Sequence, residues 1–121
     1  MNYRDLDIYK IAMELFFDIH PLSLVLPRYE LYELGSQLRR SADSVVTNIV
    51  EGYGRRRYKA EYIRFLVFSH SSNDETINHL EKLQRLYPEH AVRFQDLIKQ
   101  YNILGAKLNS YIRYVEQNWK S

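Results

Sequence analysis

The sequence predicts an all-α protein, an antiparallel up-down-up-down bundle of four helices. Three observations carry that expectation. Apolar residues recur at steps of three and four along almost the whole chain. Only 4 Gly and 3 Pro punctuate 121 residues, too few for a sandwich or barrel, which turns about every 8–12 residues. Most of those breakers fall between the periodic stretches, leaving the short connections that an up-down bundle uses. The length suits a single domain over residues 1–121. Hydrophobic residues at 45% and charged residues at 26% supply enough apolar surface for a core and argue against disorder.

The first helix is expected from Asp5, which serves as N-cap, with Asp7 at the positive end of the dipole. Its stripe is Ile8, Ala12, Leu15, Phe16 and Ile19, and Pro21 should end or kink it. The second helix should run from Tyr29 to Glu51 on Leu34, Leu38, Ala42, Val45 and Ile49, with Gly52 and Gly54 as stop signals. The third should run from Tyr58 to Tyr87 on Tyr62, Leu66, Ser69, Asn73, Ile77, Leu80, Leu83 and Tyr87. Its middle, Ser69 to Thr76, holds no large apolar side chain. Ser, Asn and Asp weaken helix interiors, yet the apolar register from Leu66 to Ile77 is unbroken. A continuous helix with a buried polar layer is therefore expected. The fourth helix, Glu89 to Trp119, has the clearest stripe, from Phe94 through Tyr101, Leu104 and Leu108 to Val115. Gly105 within it fits a close helix crossing.

Composition also excludes. With no Cys there are no disulfides, thiolate zinc sites or cysteine nucleophiles. No stretch longer than nine residues, such as Ile19–Pro27, lacks a charged side chain, so no membrane span is expected. The opening Met-Asn-Tyr-Arg-Asp-Leu-Asp puts acids where a signal peptide needs its apolar region. A cytoplasmic protein follows as the expectation.

The net charge of +2 is unevenly spread. Residues 1–38 carry three basic and six acidic side chains, whereas residues 39–64 carry seven and three. The basic excess (Arg39, Arg40, Arg55, Arg56, Arg57, Lys59, Arg64) peaks in Gly52-Tyr53-Gly54-Arg55-Arg56-Arg57-Tyr58-Lys59, between helices two and three. Arg pairs with phosphate bidentately, Tyr offers a face to an unpaired base, and the turn precedes a helix N-terminus. Nucleic-acid contact through Arg39, Arg40, Tyr53, Arg55, Arg56, Arg57, Tyr58, Lys59 and Arg64 is the expectation; a merely solubilising turn that pairs with nearby acids is the plain alternative.

A second stripe on helix two, including Gln37, Ser44 and Asn48, is polar but poor in long charged side chains. Phe68, Ser72, His79 and Leu86 lie off the main stripe of helix three. Both sets fit a subunit interface. Glu75 and His79 have no matching pair elsewhere, so no metal and no cofactor are expected. Arg64 and His70 have the Arg-x5-His form that resembles the motif of HEPN ribonucleases. On a regular helix, however, the two point about 120° apart. The chain is therefore expected to be non-enzymatic, with catalysis by Arg64 and His70 as the alternative.

The order Asp5-Leu6, Pro27 with Glu30, Gln37 to Ala42 with Ser44, then Asn48-Ile49-Val50-Glu51-Gly52-Tyr53-Gly54-Arg55 resembles one family. It is that of the 23S rRNA intervening-sequence proteins, also labelled S23 ribosomal protein or four-helix bundle protein, and the likeness continues through Phe65-Leu66, Glu75 and Gly105. The resemblance implies a four-helix bundle assembled as a homopentamer, encoded within insertions in bacterial 23S rRNA genes or elsewhere. The chain is also similar to the accessory variability protein of diversity-generating retroelements, a pentamer that binds nucleic acid and a reverse transcriptase. That likeness implies a protein partner as well, and a pentameric scaffold as a further alternative. Where relatives cap helix three with Ser or Thr, this chain has Arg57 and Tyr58.

Overall fold

A computed structural model describes residues 1–120. Among them there are four long helices and no strand: α1 (Asp7–Leu24), α2 (Leu34–Gly54), α3 (Lys59–Leu86) and α4 (Ala91–Asn118). Short 3-10 turns precede α1 (Tyr3–Asp5), α2 (Arg28–Leu31) and α4 (Pro88–His90). The expected stripes form one core, in which Ile19, Leu38, Ile49, Tyr62, Leu66, Leu80, Phe94, Tyr101 and Leu104 are almost wholly buried. Helix α3 packs on both α2 and α4, and α1 closes the bundle against the same two helices.

The middle of α3 is helical throughout and carries the expected polar layer. Ser69, Asn73 and Thr76 are fully buried, and each spends its side chain on a neighbouring helix. Ser69 Oγ donates to the Val45 carbonyl at 2.7 Å. Thr76 Oγ1 reaches Ser41 Oγ at 2.9 Å, and Ser44 and Ser72 share a hydrogen bond of 2.9 Å. On the other side Asn73 Nδ2 donates to the Tyr101 carbonyl at 2.9 Å. Gly105 makes that approach possible, because a Cβ there would stand 3.0 Å from Asn73 Nδ2. Small residues let the backbones close in, and hydrogen bonds offset the desolvation that the same groups would otherwise suffer.

Four boundaries differ from the sequence expectation. Asp5 does not cap α1; it sits in the preceding turn, where its carboxylate accepts the Asn2 N–H at 2.9 Å. Pro21 does not end α1, which continues to Leu24. Pro21 forfeits its N–H and crowds the carbonyl four residues back, but the turn beyond it holds Leu22 and Ser23, both 1% exposed, so packing retains the helix. The segment from Tyr29 is not the start of α2. Glu30 is buried there, and its carboxylate accepts the Gly35 N–H at 3.2 Å and the Tyr87 hydroxyl. This separates a 3-10 turn from a helix that begins at Leu34. The end of α2 lies beyond the expected Glu51: the helix stops at Gly54, as a stop signal there predicts, whereas Gly52 is buried inside it where α2 crosses α3, its Cα facing Phe65 and Tyr62.

The glycines therefore differ in what they permit. A Cβ at Gly35 would meet the Glu30 carbonyl oxygen at 2.5 Å, whereas one at Gly54 would meet nothing within 4 Å. Gly35→Ala is expected to destabilise by about 1–3 kcal/mol through forced backbone movement. Gly54→Ala should stabilise by about 0.4–1 kcal/mol through the reduced entropy of the unfolded chain. Urea unfolding followed by circular dichroism measures both.

Candidate nucleic-acid interface

The turn between α2 and α3 projects from one end of the bundle, with residues 54–58 all exposed. It is held from beneath by the end of α4. Trp119 Nε1 donates to the Arg56 carbonyl at 2.8 Å, and Lys59 Nζ to the Glu116 carbonyl at 2.6 Å. Below it the Tyr62 and Tyr111 hydroxyls share a hydrogen bond of 2.7 Å, and the Tyr62 ring meets Trp119 and Tyr53 edge-on. Burial, and then the bond to Tyr111, push the Tyr62 hydroxyl well above the usual tyrosine pKa, so it remains a neutral strut.

The basic side chains on this platform are not equivalent. Arg55 is matched to carboxylates, 3.3 Å from Glu51 and 3.2 Å from Glu61, and lies over the Phe65 ring. Arg64 shares Glu61 at 3.4 Å and covers Phe65 and Phe68. Arg56 stacks 4.0 Å from the centre of the Tyr53 ring and donates to the Tyr53 carbonyl at 2.9 Å. Arg56 and Lys59 thus give hydrogens to carbonyls, which carry no formal charge, and their positive charge stays available to an anion. Arg57 lies 6.0 Å from the centre of the Tyr58 ring, and Tyr58 is 61% exposed.

Three expected contact residues stand apart from the exposed turn. Tyr53 is 7% exposed, with one face under Arg56 and its edge against Tyr62, so its ring is no platform for a base; position 53 falls one step from the core stripe at Ile49. Arg39 lies about 24 Å along α2 from Arg55 at 1.5 Å per residue. Its guanidinium clamps the α1–α2 connection by donating to Ser23 Oγ at 3.1 Å and the Leu31 carbonyl at 2.7 Å. Arg40, beside it, is exposed but equally remote from the turn.

The expected interface residues also divide. Gln37 is exposed, and Phe68 and Leu86 are 40% and 60% exposed. Ser44 and Ser72 bond to each other across the α2–α3 seam of their own chain, and Asn48 donates within α2 to the Ser44 carbonyl at 2.9 Å. His79 is buried within the chain rather than on its surface, and neither ring nitrogen has a hydrogen-bond partner. Arg64 and His70 do not converge: Arg64 faces Glu61 and Phe68, while His70 lies beside Gly105 of α4. Among the described residues no three His, Cys, Asp or Glu side chains gather as metal ligands, and no helix is long and apolar enough to cross a membrane.

The arrangement is that of a four-helix bundle with a polar central seam and a basic cap at one end. The chain belongs to the 23S rRNA-intervening sequence protein family, whose family model matches residues 4–110. Comparison with curated proteins gives no match.

His79 gives the bundle a pH dependence of definite sign. Burial, against the pull of Glu75 and with a push from Lys82, holds its pKa below the usual histidine value. The unfolded chain then takes up a proton more readily than the folded one. This contribution to stability is full above about pH 6.5 and is lost as the pH falls through that value towards the folded pKa. The urea midpoint should drop between pH 7.5 and 5.5, and His79→Leu should flatten that drop.

Proposed function

We propose that the chain is a non-enzymatic, cytoplasmic, homopentameric bundle that binds RNA or DNA through a basic rim. The four helices are read as antiparallel, up-down-up-down. Supporting this, partner numbers fall as others rise: Ser41 pairs with Thr76, Val45 with Ser69, Asn73 with Tyr101, and Lys59 with Glu116. Family membership supports the assembly, as do Phe68 and Leu86, large apolar side chains left exposed outside the core. A ring of subunits covers such surface and repeats each basic turn around one rim.

The observation that carries the binding reading is the exposed turn, where Arg56 and Lys59 give their hydrogens to carbonyls rather than carboxylates and the Tyr58 ring is exposed. Arg55 and Arg64, already matched to Glu51 and Glu61, are supporting charges that a phosphate reaches only by displacing a carboxylate. Tyr58 is the stacking residue and Arg39 is structural.

Two experiments test this. Light scattering should give the mass of five chains; a monomer at micromolar concentration contradicts the assembly. In fluorescence anisotropy with labelled single strands, affinity should fall with salt at a log–log slope of about −0.7 per phosphate contact. Changing Arg55, Arg56 and Arg57 together to Ala should flatten the slope and leave helicity intact. Tyr58→Ala should weaken single-strand binding by about 1–3 kcal/mol and duplex binding less. Wild type without salt-dependent binding, or a triple variant that binds equally well, overturns the reading.

A further inference from the structure

The end of the bundle away from the basic turn carries two surfaces that complement each other. Between α2 and α3, Leu34, Lys82, Arg85 and Leu86 line a depression of about 420 Å³. Leu34 and Leu86 make it apolar, and Leu86 is 60% exposed. Lys82 and Arg85 make it basic. Among the described residues no carboxylate pairs with either, in contrast to Arg55 and Arg64 at the other end.

Helix α1 presents the opposite pattern. Glu14, Phe17, Pro21 and Leu24 fall at steps of three and four, so they form one row, and all four are exposed. Phe17 and Leu24 are 60% and 52% exposed, while Leu15, Ile19 and Leu22 of the same helix are buried in the core. Asp18 adjoins the row. It shares a cleft with Pro21 and Arg93 of α4, but among the described residues neither Glu14 nor Asp18 is in an ion pair. The row is thus an apolar ridge flanked by two unmatched carboxylates. The next residue of the row, Lys10, lies about 10 Å from Phe17 at 1.5 Å per residue.

Ridge and depression stand at one level of the bundle. Pro21 lies across from Val92 and Arg93 at the start of α4. Gln84, between Lys82 and Arg85 in sequence, donates to the Ala91 carbonyl at the same place. Both rows also run the same way: Glu14 and Asp18 precede Leu24 as Lys82 precedes Leu86. Within one chain α1 and α3 do not touch, so the two surfaces meet only when a second copy stands alongside.

Resting on the assembly proposed above, we propose that Phe17, Pro21 and Leu24 of one copy seat on Leu34 and Leu86 of the next, with Glu14 and Asp18 against Lys82 and Arg85. The occupant is a second copy of this chain because its ridge supplies both the apolar surface and the opposite charge that the depression lacks, and such complementarity fixes register. The contact joins two different patches, the kind that repeats around a ring when the rotation closes. Copies standing side by side point every basic turn to one face. Contact at the far end leaves those turns uncovered for nucleic acid.

Light scattering at micromolar concentration tests the pairing. Glu14→Lys with Asp18→Lys, and separately Lys82→Glu with Arg85→Glu, should each lower the mass and raise the concentration needed for assembly at least tenfold. All four changes on one chain should restore the wild-type mass, since the charges are exchanged rather than removed. Arg113→Glu, on the exposed face of α4, should leave the mass unchanged. Every one of these positions is exposed, so the variants should fold, as circular dichroism would verify. A second readout keeps all four charges. The chain has no Cys, so Phe17→Cys with Leu86→Cys on one chain, treated with a short bis-maleimide, should give a ladder of linked chains on a denaturing gel. Either cysteine alone should give single chains. A monomeric wild type overturns the assembly and this pairing together. A wild-type assembly that survives either charge reversal, is not restored by the exchange, or gives no ladder overturns the pairing and leaves the assembly standing.

Discussion

The polar seam in the middle of α3 is the constraint on which the rest of the bundle depends. An apolar stripe tolerates small slips along a neighbouring helix, because one methyl group substitutes for another. Hydrogen bonds from Ser69 to Val45, Thr76 to Ser41 and Asn73 to Tyr101 do not: a displaced α3 would leave several buried polar groups without partners. The seam therefore fixes the register of α2 and α4 against α3 at once, using residues whose intrinsic helix propensity is poor. Gly105 is part of the same device, since the Asn73 bond exists only where α4 comes close.

With the centre fixed, each end of the bundle is tied in its own way. At one end, buried Glu30 joins Gly35 to Tyr87, so the α1–α2 connection is bound to the residue that follows α3, and Arg39 clamps the same connection to α2. At the other, Tyr62, Tyr111 and Trp119 form an aromatic base beneath the turn from Arg55 to Tyr58. The turn is thus presented on a firm support, and its Arg56 backbone is held while the side-chain charge stays outward. Charge and shape at this end follow from how α3 is seated at the centre.

Much of this was legible in the sequence, and the failures have physical reasons. The stripes on all four helices, the unbroken α3 and the close crossing at Gly105 follow from periodicity and residue size, which act locally. The end of α1 and the start of α2 did not, because they turn on contacts distant in sequence. Leu22 and Ser23 are packed by the rest of the core, and Glu30 acquires its role from Tyr87. For the candidate site the basic turn itself was legible, but the division of labour within it was not. Tyr53 and Arg56 differ in exposure only because α2 continues helical through Gly54, which puts the Tyr53 ring inward. Arg39 reads like any other cation until the connection it clamps is folded. His79 lies off the apolar stripe by pattern, yet it is 4% exposed.

Native-state hydrogen exchange tests most directly whether the seam organises the fold. If it does, amides from Leu66 to Leu80 should be among the slowest to exchange, approaching the rate set by global unfolding, although this stretch contains the weakest helix formers of α3. Exchange in that stretch as fast as at the frayed ends of the helices would contradict the account and leave the apolar stripes alone as the source of register.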